Sequence, residues 1–395
     1  MAARPRIDAA ERRARLVQRH RLAGDASDAV TAVRDVLVLH SSDPATPHLM
    51  IRARVAGATT GDLETALTVD RTLWRLHAMR RTMFVVATDD APAVLAGASS
   101  DIAAAARRRM LRWLADAELD VAAQPWLAEV EAEVLDALTD GVLATTDVRA
   151  CVPRLDTQIT LGSGRWKQRT RIASQVLFLL AADGHIVRTA PAGSWRSSQY
   201  GWARTEDWFG ARPARIDVDE ARAVLLGRYL ARYGPVTETD ARWWTGWTAA
   251  RTRAALARLG AVAVDLDEGR DGAVLPDDTG ATSVPPGGVV SLLPALDATT
   301  MGWKQRDWYL SEDLVPALFD RNGNAGPTIW VDGRIVGGWA QRPDGTVVTQ
   351  LLVDVGAETA CAIDAAAGEL DTWLGDTTVI PRFRTPLERE LATPA

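Results

Sequence analysis

Along the first two thirds of the chain, apolar positions recur three and four apart in short blocks closed by glycine or proline, the spacing of helices that bury one face. Residues 8–21 and 28–38 read as two such helices, the second turning Val30, Val33, Leu37 and Val38 inward. Residues 40–47 break the pattern and 48–55 resume it. A short helix at 61–67 and an alternating hairpin at 73–88 follow. Three helices and a hairpin make a winged helix. The same order returns after residue 100, with helices at 101–119, 126–138 and 171–182, a strand from 185 and a wing at 191–200. It returns once more at 217–264, where helices at 219–233, 238–244 and 249–259 precede a strand at 261–266.

The last third changes period. Strand-length pieces at 289–293, 329–331, 334–339 and 346–353 are separated by glycine- and proline-rich turns, and VDGR at 331–334 has hairpin-turn chemistry. A terminal helix at 358–374 is expected across that sheet, with a loose chain beyond Pro381. The fold class is therefore α+β: tandem winged helices at 1–95, 96–215 and 216–280, then a C-terminal antiparallel β-barrel-like domain at 281–395.

Composition narrows the setting. A chain of 395 residues, 47% hydrophobic and 24% charged, has the balance of a globular protein. No apolar run approaches the roughly 20 residues of a membrane span, and the first residues lack the apolar core of a signal peptide. A cytoplasmic, monomeric protein is expected. Cys151 and Cys361 are too few and too far apart for a zinc site or a disulfide framework. No carboxylate or histidine cluster has metal-ligand spacing and no glycine run has nucleotide-loop spacing, so neither metal nor cofactor is expected.

Charge is unevenly spread. The net charge of −6 argues against an indiscriminate polyanion binder, yet residues 149–215 carry 11 basic side chains against 4 acidic ones. Within that stretch Arg165, Trp166, Lys167, Arg169 and Arg171 combine phosphate-seeking cations with a stacking ring. The plainer alternative is the solvated start of the helix that follows. Trp303, Lys304 and Arg306 form a second such group, and Arg52 stands on the polar face of the helix at 48–55. Most of the 15 tryptophans belong in cores.

The densest chemistry lies in LHSSDPATPHLMIRARV at 39–55, which crowds two of the five histidines, two serines and a carboxylate before a helical run. Pro44 disfavours a helical Asp43, so His40, Ser42 and Asp43 sit on a bent polar loop that closes one helix and opens the next. Side chains on such a turn can be aimed at a substrate. They can equally be a helix cap, with Asp43 or Ser42 accepting backbone N–H groups.

Three longer words carry a resemblance. YLARYGPVTETD at 229–240 with WWTG at 243–246, LPALD at 293–297 with GWKQR at 302–306, and NGNAGPTIWVDGRIVGGW at 322–339 resemble the bacterial AlkZ-like and YcaQ-like winged-helix DNA glycosylases, over residues 16–374. The resemblance implies tandem winged helices and a β-barrel around duplex DNA. It also implies excision of bases alkylated at N7 of guanine or N3 of adenine, bulky adducts and crosslinks of natural-product genotoxins included. Double-stranded DNA containing alkylated purines is then the partner, the nucleoid the place of work, and host self-protection one use.

In that family a Gln-x-Gln or Gln-x-Asp pair on this loop is catalytic. Here His40, Ser41 and Ser42 stand in its place, followed by Asp43. The chemistry tolerates the change, because an N7-alkylpurine is cationic and leaves readily. The enzyme has mainly to stabilise an oxocarbenium-like sugar and direct a water to C1′. Asp43 can serve as the anion and the water's acceptor, His40 can orient the water, and Ser42 can hold either. The alternative is a non-catalytic winged-helix DNA-binding protein, a regulator or lesion binder.

Overall fold

The computed structural model describes residues 4–117, 122–162, 164–282 and 287–393. Helices and small antiparallel sheets share the chain, an α+β fold. Two compact units result. The first comprises the described residues up to Leu63, Val85–Ala87 and those from Ala223 on, and the second holds Glu64–Phe84 and Thr88–Arg222.

In the first unit the opening helix runs Ala9–Arg19, started by Asp8, whose carboxylate accepts the Glu11 N–H at 2.9 Å. The next, Ala29–Val36, is capped by Asp28 and ends before the predicted residue 38, because Leu37 turns left-handed at φ 65°. Thr237 and Asp240 form a reciprocal capping box on helix Glu238–Thr245. After helix Ala249–Arg258, strands Val262–Asp265 and Asp271–Val274 pair as a hairpin.

The C-terminal sheet of this unit runs Val290–Leu293, Thr328–Val331, Arg334–Gln341, Val347–Leu351, each strand antiparallel to the next. Asp332 at φ 48° and Gly333 at φ 77° make the predicted turn. The expected barrel is corrected: the sheet is open, its first and last strands not pairing with each other. Four short strands cannot curl far enough to meet, and helices cover the sheet instead. Ala357–Leu374 lies against the first and last strands and Pro386–Leu391 against the third.

The tail is a second correction. Beyond Pro381 the chain is seated rather than loose, with Thr385, Leu387 and Glu388 at 1%, 4% and 2% exposure. Glycines make the room: a Cβ on Gly338 would stand 2.8 Å from the Leu387 side chain, and one on Gly326 would collide with Thr385.

The second unit closes helices Ser100–Ala115, Ala123–Ala137 and Ala173–Ala182 over a core that includes Met110, Leu127, Val130, Val176 and Leu180. The end of the predicted helix 101–119 falls partly outside the described residues. The basic run proves to be a β-hairpin rather than a helix start. Gln158–Leu161 pairs with Gln168–Arg171, and a 3-10 turn at Gly164–Trp166 forms the tip. Gly162, at φ +78°, has the Trp166 carbonyl where a Cβ would be, so only glycine fits there.

Candidate active site

The chain leaves helix Ala29–Val36 through the left-handed Leu37, makes a two-residue strand at Leu39–His40, and bends into helix Thr46–Arg52. Pro47 sits in that helix's first turn, where its missing N–H costs nothing. Between them Asp43 is 6% exposed. Its Oδ1 accepts the Ala45 N–H at 3.2 Å, and its Oδ2 accepts the Arg382 N–H at 2.8 Å. Burial raises the Asp43 pKa above the ordinary carboxylate value, and the two amides pull it back.

His40 and Ser42 are half-buried, and His40 Nδ1 lies 3.4 Å from the Ser42 N–H. The Arg382 guanidinium donates to the Ser42 carbonyl at 3.2 Å. Asp43 and Thr46 border a cavity of about 10 Å³, room for one water and not for a purine. A base would have to meet the loop from its half-exposed residues, His40 and Ser42.

The helix after the loop is pinned by an ion pair that periodicity alone does not reveal. Arg54 is fully buried and grips Asp297, also fully buried, through two bonds of 2.9 and 2.7 Å. Arg54 also donates to Thr299 Oγ1 at 2.9 Å, and His20 Nδ1 lies 2.9 Å from the same hydroxyl. Burial, then the charge of Arg54, pushes the His20 pKa well below the usual imidazole value. His48 is buried with Nδ1 3.2 Å from the Thr60 carbonyl oxygen, a packing histidine.

The candidate DNA-contacting residues divide. Arg165, Trp166, Lys167, Arg169 and Arg171 come together on the exposed hairpin of the second unit, with Trp166 at 74% exposure and Arg165 over its ring. Arg171 pairs with Asp156 at 3.1 Å, whereas Arg165, Lys167 and Arg169 make no ion pair among the described residues. Arg52 is mostly covered and lies 3.7 Å from Glu369.

Trp303 is placed in the core. It is 2% exposed, donates to the Tyr233 carbonyl at 3.2 Å and stacks on His20, so it has no ring face for a base. Lys304 is exposed, and its backbone N–H donates to Asp240. Arg306 is held between the rings of Trp243 and Phe319. Sequence reasoning missed Arg382 because its stretch has no periodicity. Only the turn at 381–385 and the helix Pro386–Leu391 behind it, seated through Leu387 and Glu388, bring it to the loop.

The family model described as DNA glycosylase AlkZ-like matches residues 33–373, most of the chain and the whole of the loop just described. The chain belongs to the AlkZ-like DNA glycosylase family. It is thus a DNA glycosylase, an enzyme of DNA repair. No curated protein sequence matches this AlkZ-like glycosylase. Among solved structures, Streptomyces sahachiroi DNA glycosylase AlkZ aligns with a TM-score of 0.73 at 21% identity, over 95% of this chain and 98% of that one, a likeness of fold. His40, Ser42 and Asp43 lie inside the family match, and Arg382 lies beyond its end. Among the described residues of this AlkZ-like glycosylase no helix is long and apolar enough to cross a membrane, and no group of three or more His, Cys, Asp or Glu is placed to hold a metal ion.

Proposed function

We propose that this AlkZ-like glycosylase hydrolyses the N-glycosidic bond of N7-alkylated guanine and related cationic alkylpurines in duplex DNA, bulky genotoxin adducts and crosslinks included, by attack of water. The observation that carries the reading is the loop itself. It pairs a buried carboxylate with two half-exposed polar side chains, directly before a helix locked by Arg54 and Asp297. An alkylated purine carries its own positive charge, so the leaving group needs no strong acid. What rises in the transition state is positive charge on the sugar. Asp43 supplies the opposing charge. Each Asp43 oxygen accepts one backbone amide and keeps a second lone pair, so Asp43 also takes the proton that the attacking water loses, while His40 and Ser42 orient that water.

The successions of helices ending in hairpins are read as winged helices, a DNA-docking architecture. The test is a gel assay on labelled duplexes, one carrying 7-methylguanine and others treated with bulky guanine-N7 alkylators, followed by hot alkali to cut abasic sites. Cleavage of any of them is expected. Binding without cleavage on every substrate would instead make the protein a regulator or lesion binder.

The hairpin makes a separate prediction. Arg165→Gln with Arg169→Gln is expected to weaken duplex binding and flatten the dependence of log K on log salt by about 0.9 for each phosphate no longer neutralised. The measurement is a salt titration by fluorescence anisotropy. A slope equal to that of the unaltered protein would show that the hairpin faces away from DNA.

A further inference from the structure

Strands Leu73–Ala78 and Thr82–Ala87 are joined by a two-residue turn whose tip belongs to the second unit, closed by the Thr82 N–H on the Met79 carbonyl. Its central residues are Arg80 at φ 57° and Arg81 at φ 61°, both left-handed. Such a turn favours asparagine and glycine, because a Cβ crowds the backbone at positive φ. The chain follows that rule at two other turns of this length, where Gly269 comes after Glu268 and Gly333 after Asp332. Here two exposed arginines take the strained places. Strain kept where a better turn residue would relieve it points to a use for the side chain.

That use is not an ion pair within the fold. The Arg81 guanidinium rests 5.1 Å from the centre of the Phe178 ring on helix Ala173–Ala182. Arg109, half-buried on helix Ser100–Ala115, lies near Gln175 and Leu179 of the same helix. Burial and then the charge of Arg109 lower the Arg81 pKa, and no carboxylate among the described residues offsets them. His77 packs edge-on against Phe178, and burial with the charges of Arg188 and Arg81 pushes its pKa down to about 3, so it is neutral. Its Nδ1 lies 3.3 Å from Arg188 Nη1, where the neutral ring can accept. Arg81, Arg109 and Arg188 form no ion pair among the described residues, so three guanidiniums gather around Phe178 and His77 without a paired carboxylate.

Like charges gathered beside an exposed turn repel one another until an anion stands between them. The anion has to come from outside the fold, and in a DNA glycosylase the duplex brings one with every nucleotide. The planar fork of each guanidinium matches the oxygens of a phosphate. We infer that Arg81 and Arg109 form a binding site for a backbone phosphate of the duplex, with the left-handed turn holding Arg81 in place to receive it. The site is separate along the chain from the basic hairpin at 158–171. It rests on the DNA substrate of the family and not on which lesion is removed.

The test is a salt titration of the full chain on a short undamaged duplex labelled with fluorescein, read by fluorescence anisotropy. The variants are Arg81→Gly, Arg109→Gln and the two together, with Arg108→Gln as the control. Arg108 is exposed on the same helix as Arg109 and removes the same charge. The double variant is expected to bind about tenfold more weakly, the scale of one lost charge-assisted hydrogen bond, with a salt slope lower by about 0.9. Arg108→Gln should stay within about twofold of the parent, its charge being screened in solvent. Arg81→Gly gives the turn its preferred residue, so it should melt at or above the parent temperature while binding more weakly. An unchanged slope in the double variant would overturn the assignment. An equal loss in Arg108→Gln would do the same, since net charge rather than a placed contact would then be at work. So would a lower melting temperature for Arg81→Gly, because the contact with Phe178 would then account for the side chain.

Discussion

Asp43→Asn is expected to lower the single-turnover rate of 7-methylguanine excision by about a hundredfold or more, the scale of a positioned charged group, while duplex affinity changes little. Under the proposed mechanism, Asn removes the negative charge that opposes the developing cation. It also disturbs the loop, because its one oxygen can serve only one of the two amides now bound, Ala45 or Arg382, and its NH2 opposes the other. Loss of a buried hydrogen bond costs about 1–3 kcal/mol, so a melting curve belongs beside the rate. Equal rates in parent and variant would remove Asp43 from the mechanism.

The pH dependence of the parent carries the same assignment. Burial raises the folded pKa of Asp43, so the folded protein holds this proton more tightly than the unfolded chain. The contribution of this group to stability therefore falls as pH rises from the ordinary carboxylate value through the raised one, the sign opposite to that of a salt-bridged aspartate. Excision should rise over the same window as the carboxylate ionises. Both features should be missing in Asp43→Asn. A parent whose rate is flat across weakly acid pH would argue that the ionised form is not required.

The second large effect is expected at Asp297. Replacing it with Asn leaves the Arg54 charge buried with no counter-ion, and breaking a buried pair on one side typically costs about 3–5 kcal/mol. The check is chemical denaturation, with the double substitution Arg54→Met, Asp297→Leu as its partner. That variant removes both charges together and should recover much of the stability. Activity should follow folding, because the pair touches the helix after the loop and not the substrate. A stable Asp297→Asn protein would mean that water or the Thr299 hydroxyl suffices for Arg54.

Particular residues mark how far the chain could be read directly. The helix starts at Asp8, Asp28 and Glu238 and the Asp332-Gly333 turn were legible, because each depends on neighbours within a few positions. His40, Ser42 and Asp43 were found as a loop for the same reason, through Pro44 and the break in apolar spacing. Trp303 was misread. A tryptophan beside Lys304 and Arg306 has the composition of a nucleic-acid contact, and only the packing of His20, Tyr233 and Trp308 around it shows a core residue.

Most of the helices in their order, the α+β class and the family were thus determined by the sequence alone, since local periodicity and long motifs survive without any knowledge of contacts. Tertiary structure decided which charges are buried and with whom: Arg54 with Asp297 across 243 positions, Asp43 with the Arg382 amide across 339, and Arg12 with an aromatic ring in place of a counter-ion. The reason is physical. A charged side chain looks the same in the sequence whether it ends in water or in a core, and desolvation is settled only when distant segments close over it.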